Sequence, residues 1–159
     1  MKANRIAAVL AFVIACEIAG AIGSIFTISS IPTWYAALQK PAFSPPNWLF
    51  GPVWLTLYAL MGISAYLVYE KRQKNKGANA ALVLFAAQLA LNVMWSTMFF
   101  GLHSTILGLL AIMLLWIAIF VTMAKFYRIS KQAAWLLVPY IIWVSFATVL
   151  NFTLWQLNG

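Results

Sequence analysis

Acidic residues are almost missing from this chain: Asp and Glu total 2 in 159 residues, against 10 Lys and Arg and one His. Charged residues of both signs make up only 8% of the sequence, too few to cover a water-soluble globule of this length. Paired carboxylates for acid–base work are therefore unavailable. There is no Ser/His/Asp group and no P-loop, so conventional hydrolase or nucleotide chemistry has nothing to stand on. A lone cysteine, Cys16, excludes an internal disulfide, and together with the lone His103 it leaves no metal-ligand spacing. His103 reads as a loop histidine rather than a haem ligand.

What the chain does contain is hydrocarbon, 65% of its residues being hydrophobic. Apolar runs predict an all-α membrane protein of five transmembrane helices in a single domain over 1–159, at about 6–28, 45–69, 78–100, 104–124 and 133–155. Each is long enough, at 1.5 Å per residue, to cross ~30 Å of bilayer core. The first run continues well past Cys16, which favours a span over a cleaved lipoprotein signal. Ser44 reads as a cap with Pro45 and Pro46 as the first helical positions, Pro52 as a bend in the second helix and Pro139 as a kink in the fifth.

Net charge +8 would suit nucleic acid, but the basic residues sit in short clusters between the apolar runs, so none is expected as a partner; the partner is the lipid bilayer. With five spans, Lys2, Arg5, Lys71, Arg72, Lys74, Lys76, Lys125, Arg128 and Lys131 share one side and Lys40 alone marks the other. The positive-inside rule places the N-terminus in the cytoplasm and the C-terminus and first loop outside.

Between Trp34 and Tyr58 lie four of the chain's six prolines and three of its eight tryptophans. A proline-stiffened aromatic loop is cheap to order and suits a lid, built from Trp34, Lys40, Pro41, Pro45, Pro46 and Trp48. Polar and aromatic stripes are the informative ones in a bilayer. Gln88, Asn92, Trp95 and Phe99 share one face of the third helix, and Tyr140, Trp143, Ala147 and Asn151 one face of the fifth. Trp54, Tyr58 and Met61 do so on the second. Trp48 and Trp155 read as interfacial aromatics, whereas Trp54, Trp95 and Trp143 lie deeper and read as walls of an apolar-ligand pocket.

Glu17 falls near the middle of the first helix, where a carboxylate costs about 2.5–3.5 kcal/mol on insertion scales. It is expected to be protonated, or paired with Asn92, Gln88 or a tyrosine hydroxyl; the alternative is a proton- or cation-coupling site of a small-molecule exporter. Cys16, Ala19, Gly20, Gly23 and Ser24 around it form a small-residue surface for close helix approach.

Trp34-Tyr35 with Leu38 and Lys40-Pro41, then Pro45-Pro46, Trp48, Pro52, Trp54 and Leu57-Tyr58, resemble the signature of the translocator protein family, also called tryptophan-rich sensory proteins or peripheral benzodiazepine receptors. Gln88 to Asn92 with Trp95 and Phe99-Phe100-Gly101 is similar to its third helix. Pro139-Tyr140, Trp143, Ala147-Thr148 and Asn151 are similar to its fifth. The resemblance implies a five-helix bundle, commonly a homodimer, with a ligand cavity capped by the first loop. It implies tetrapyrroles such as protoporphyrin or haem, or other apolar small molecules, as ligands, with no cofactor required. Trp54, Tyr58, Asn92, Trp95, Trp143, Ala147 and Asn151 are the implied ligand-binding residues, and Tyr140, on the same face of the fifth helix, is a candidate beside them. In some bacterial relatives the tryptophans matching Trp54 and Trp143 are linked to light- and oxygen-dependent porphyrin degradation, the one enzymatic alternative. Where animal members carry a tyrosine and a basic residue for sterol, this chain has Phe152 and Gln156. The basic loops suit a bacterial inner membrane.

Overall fold

A computed structural model describes residues 2–159, with side chains from Asn4 onward; the Lys2 side chain, counted above for topology, lies outside the described residues. The chain is helical throughout: α1 (Lys2–Ser30), α2 (Trp34–Ala37), α3 (Phe50–Glu70), α4 (Ala78–Ser96), α5 (Thr105–Ile129), α6 (Lys131–Leu136) and α7 (Val138–Asn158). Five stretches are long and apolar enough to cross a membrane: Asn4–Ser30, Asn47–Glu70, Ala78–Gly101, Thr105–Ile129 and Lys131–Asn158. α1 packs on α3 and α4, α4 on α5, and α5 on α7, while α3 meets α6 and only brushes α7. Ile6, Leu10, Ile14, Ile18 and Ile25 on α1 are each more than half exposed, as expected of a face turned to acyl chains.

Close approach is set by small residues. A Cβ on Gly62 of α3 would stand 2.5 Å from the Val13 Cα and 2.8 Å from the Phe12 carbonyl oxygen, so the backbones of α1 and α3 meet there. Gly20 gives its space to the Tyr58 ring, and Gly108 of α5 does the same for Phe99. Where Gly108 makes room, Asn151 ties three helices together: its Nδ2 donates to the Thr105 carbonyl at 2.9 Å and its Oδ1 accepts from Trp95 Nε1 at 3.3 Å.

The prolines act differently from the sequence expectation. Pro45 and Pro46 do not open a helix. Pro46 is extended (φ −63°, ψ 143°), and a single 3₁₀ turn, Asn47–Leu49, leads into α3. A proline disfavours the α region for the residue before it, so Pro46 denies helical geometry to Pro45. The Ser44 hydroxyl is buried without a hydrogen-bond partner and caps nothing. Pro52 lies in the first turn of α3, where a missing N–H costs no intrahelical bond. Pro139 does more than kink: the helix stops at Leu136 and restarts at Val138, with Pro139 in the new first turn. Ser104, by contrast, caps α5 by accepting from the Leu107 N–H at 3.3 Å.

α4 ends in a π-helical segment, Thr97–Gly101, in which the Leu102 N–H reaches back to the Thr97 carbonyl at 2.8 Å. His103 follows in the left-handed region (φ 51°) and closes the short link to α5.

Candidate functional site

In the N-terminal half of α1 and the C-terminal half of α3 the two helices are in contact, with Phe12 against Tyr66 and Tyr69 at ring-centroid distances of 6.1 and 5.0 Å. Beyond Gly20 and Tyr58 they diverge. The opening is a crevice of about 350 Å³ between α1, the start of α3 and the end of α4. Its walls are aromatic: Phe50, Trp54, Tyr58, Trp95 and Phe100 all line it. Trp54 stacks on Tyr58 at 5.5 Å and meets Trp95 at 6.1 Å. The α1 wall is low relief, contributed by Gly20, Ala21, Gly23 and Ser24, with Thr27 and Ile28 toward the mouth. Ile28 and Leu55 on its rim are 70% and 64% exposed, so the crevice opens sideways to the surroundings of the bundle.

A buried polar chain runs from the crevice inward. The Tyr58 hydroxyl donates to Asn92 Oδ1 at 2.5 Å, Asn92 Nδ2 to the Tyr140 hydroxyl at 3.0 Å, and the Tyr140 hydroxyl to Gln88 Oε1 at 2.9 Å. In a bilayer such groups must find partners within the bundle. Gln88 Nε2, at the far end, has none. Tyr58, Asn92, Tyr140 and Gln88 bond to one another, and none reaches Glu17. Among the described residues the Glu17 carboxyl makes no hydrogen bond or ion pair, so of the two expectations from the sequence, protonated or paired, the pairing is not met; it lines the crevice instead.

Seven of the eight ligand-binding candidates thus fall in two layers. Trp54, Tyr58, Asn92 and Trp95 line the crevice. Tyr140 and Asn151 stand behind them, joined to Asn92 and Trp95 by the bonds above, and Ala147 is buried on the same α7 face. Trp143 does not reach the crevice. It packs edge-on to Phe50 at 6.0 Å and against Phe146 at 5.5 Å, and its Nε1 is buried with no partner.

The loop between α1 and α3 is fastened on two sides. Trp34 stacks on His103 at 5.0 Å and meets Phe99 edge-on at 5.3 Å; His103 Nε2 also lies 3.2 Å from the Ser30 hydroxyl, which donates to the Phe100 carbonyl of the π segment at 2.7 Å. On the other side the Gln39 N–H donates to Asn158 Oδ1 at 2.9 Å and Asn158 Nδ2 donates back to the Gln39 carbonyl at 3.0 Å. Lys40 sits over the Tyr35 ring at 4.8 Å and donates to the Ala36 carbonyl at 3.2 Å. Burial raises the Tyr35 phenol above its ordinary range while the nearby Ser44 hydroxyl pulls the other way. Neither hydroxyl has a hydrogen-bond partner, so burial dominates. Pro41, Pro45 and Pro46 carry the chain across to Asn47 at the crevice mouth, and Trp48 is 71% exposed. Ser30, Asn47 and Asn158 escaped the sequence reading; all three are polar residues at helix ends, where caps and contacts look alike.

Five apolar helices with an aromatic crevice and an internal amide–tyrosine chain define a polytopic helical membrane protein. Its relatives make the assignment narrower. The profile of the TspO/MBR family matches residues 12–156. The chain is 49% identical to the tryptophan-rich protein TspO of Chlorobaculum tepidum over 90% of both chains. It is 43% identical to protein CrtK of Rhodobacter capsulatus over 92% of this chain and 90% of that one. The human translocator protein is 39% identical over 94% of this chain and 89% of its own. This chain belongs to the TspO/MBR family, and it is a multi-pass membrane protein.

Proposed function

We propose that this protein is a membrane receptor or carrier that binds a flat, mostly apolar tetrapyrrole in the crevice, with the Trp34 to Trp48 loop above it. The observation that carries the reading is the wall made by Trp54 stacked on Tyr58 and set against Trp95. A planar ring gains stacking and burial from such a wall, and few polar groups interrupt it. At about 350 Å³ the crevice is at the small end of ligand pockets, which run from roughly 300 to 1,000 Å³. A macrocycle would therefore keep one edge in the sideways opening, toward lipid. That geometry favours loading from the membrane.

The charge pattern supports an inner-membrane placement with the N-terminus in the cytoplasm and the loop outside, and the family resemblance supports a homodimer. A protoporphyrin titration followed by tryptophan quenching tests the site. Trp54→Ala and Trp95→Ala should weaken binding at least about tenfold, the scale of one well-stacked aromatic, while Trp155→Ala should leave it within twofold. Equal affinities for all three variants would remove the assignment. Porphyrin photo-oxidation is a second reading, supported by Trp54 at the wall; a new absorbing product that requires both light and oxygen and vanishes in Trp54→Phe would establish it.

A further inference from the structure

Only two acidic side chains exist in this chain, and they have different surroundings. Glu70 is held by Arg5 at 3.1 Å and meets the Tyr66 hydroxyl at 3.5 Å. Glu17, far from any basic residue's reach along the same helix, lines the inner end of the crevice with no protein partner among the described residues. The serine and tyrosine hydroxyls that line the crevice with it already donate to protein acceptors. Ser24 donates to the Ala21 carbonyl at 2.7 Å, Ser96 to the Gly23 carbonyl at 2.7 Å, and Tyr58 to Asn92. What the crevice presents is thus one carboxyl group, hydroxyls whose protons are already donated, and the faces of Trp54, Tyr58 and Trp95.

We propose that the inner end of the crevice is a subsite for organic cations, apolar molecules bearing an ammonium group, with Glu17 as the counter-charge and Trp54 and Tyr58 as the aromatic faces. A desolvated ammonium is stabilised by an aromatic face and, in low dielectric, by a carboxylate nearby. A neutral or anionic ligand would leave that carboxyl unmatched. The cost of placing Glu17 in hydrocarbon is then offset when the cation arrives, because the pair is neutral. The sideways opening past Leu55 and Ile28 gives such an amphiphile a route from the lipid. The inference rests on the reading of the crevice as a ligand site, and it adds a class of ligand that stacking alone would not select.

The test uses the purified full-length protein and two probes of one shape, (2-naphthylmethyl)trimethylammonium and the uncharged 2-neopentylnaphthalene, with protoporphyrin as a third. Wild type should bind the cation at least about tenfold more tightly than its isostere. Glu17→Gln should lower that ratio at least about fivefold, because only the aromatic faces then favour the cation. An unchanged ratio in Glu17→Gln, or no preference in wild type, overturns the cation subsite and leaves the tetrapyrrole reading intact. Failure of all three probes to bind overturns both. Should Glu17→Gln not fold, labelling of wild-type Glu17 by dicyclohexylcarbodiimide, read by intact mass, decides: the cation must slow it and the isostere must not, and equal protection or none overturns the proposal.

Discussion

α1 and α3 form one helix pair with two unlike halves. In one, Gly62 admits the Val13 backbone, Phe12 packs on Tyr66 and Tyr69, and Arg5 reaches Glu70. In the other, bulky Tyr58 occupies the space left by Gly20, and the helices part around Trp54. The composition of the two halves is similar, and both are mostly apolar. What differs is where the missing Cβ sits. At Gly62 it is filled by a backbone, which brings two helices together; at Gly20 it is filled by a ring that turns toward α4, which holds them apart. Glycine in a membrane helix therefore marks either a seam or a cavity, depending on what enters its place.

The contrast can be broken in graded steps. Gly62→Val should have the largest effect, because its Cβ would meet backbone atoms that cannot rotate away; a loss of about 3 kcal/mol or more is expected, read as a lowered thermal midpoint in detergent. Gly51→Ala, at a position with nothing within 4 Å, should leave the midpoint unchanged or slightly raised. Next comes Asn151→Leu, which strands Trp95 Nε1 and removes a bond to the Thr105 carbonyl and should cost about 2 kcal/mol. Tyr58→Phe removes one bond of the inner chain and should cost about 1 kcal/mol, with the crevice retained and protoporphyrin still bound. Smallest is Arg5→Ala. Its ion pair with Glu70 is largely exposed, so the change should stay below about 0.5 kcal/mol and shrink further at high salt. A Gly62 variant as stable as Gly51→Ala would erase the distinction between the halves.

The number of spans and their rough limits could be read from the sequence because a bilayer demands long apolar runs and tolerates little else. The course of the prolines could not. Pro46 acts on the residue before it, and Pro139 breaks the final span because Leu137 can close a turn onto Ala134; both outcomes depend on local backbone competition rather than on composition. Helical spacing correctly grouped Trp54 with Tyr58 and Asn92 with Trp95. It could not say that Phe50 would stand between Trp143 and the crevice, since that depends on how α3 and α7 are rotated against each other. Nor could it show that Tyr58 and Tyr140 would satisfy Asn92, or that Glu17 would be left alone.

The five residues from Thr97 to Gly101 wind more loosely than the helix they extend, and this sets the bearing of everything beyond them. One α-helical residue turns the chain by about 100°, so removing a single residue there would swing Phe99 and Phe100 off their present heading. Ser30 would lose its carbonyl, and Trp34 would lose both rings on which it rests. The register of one wide turn at the end of α4 thus governs whether the roof over the crevice has anything to lean on.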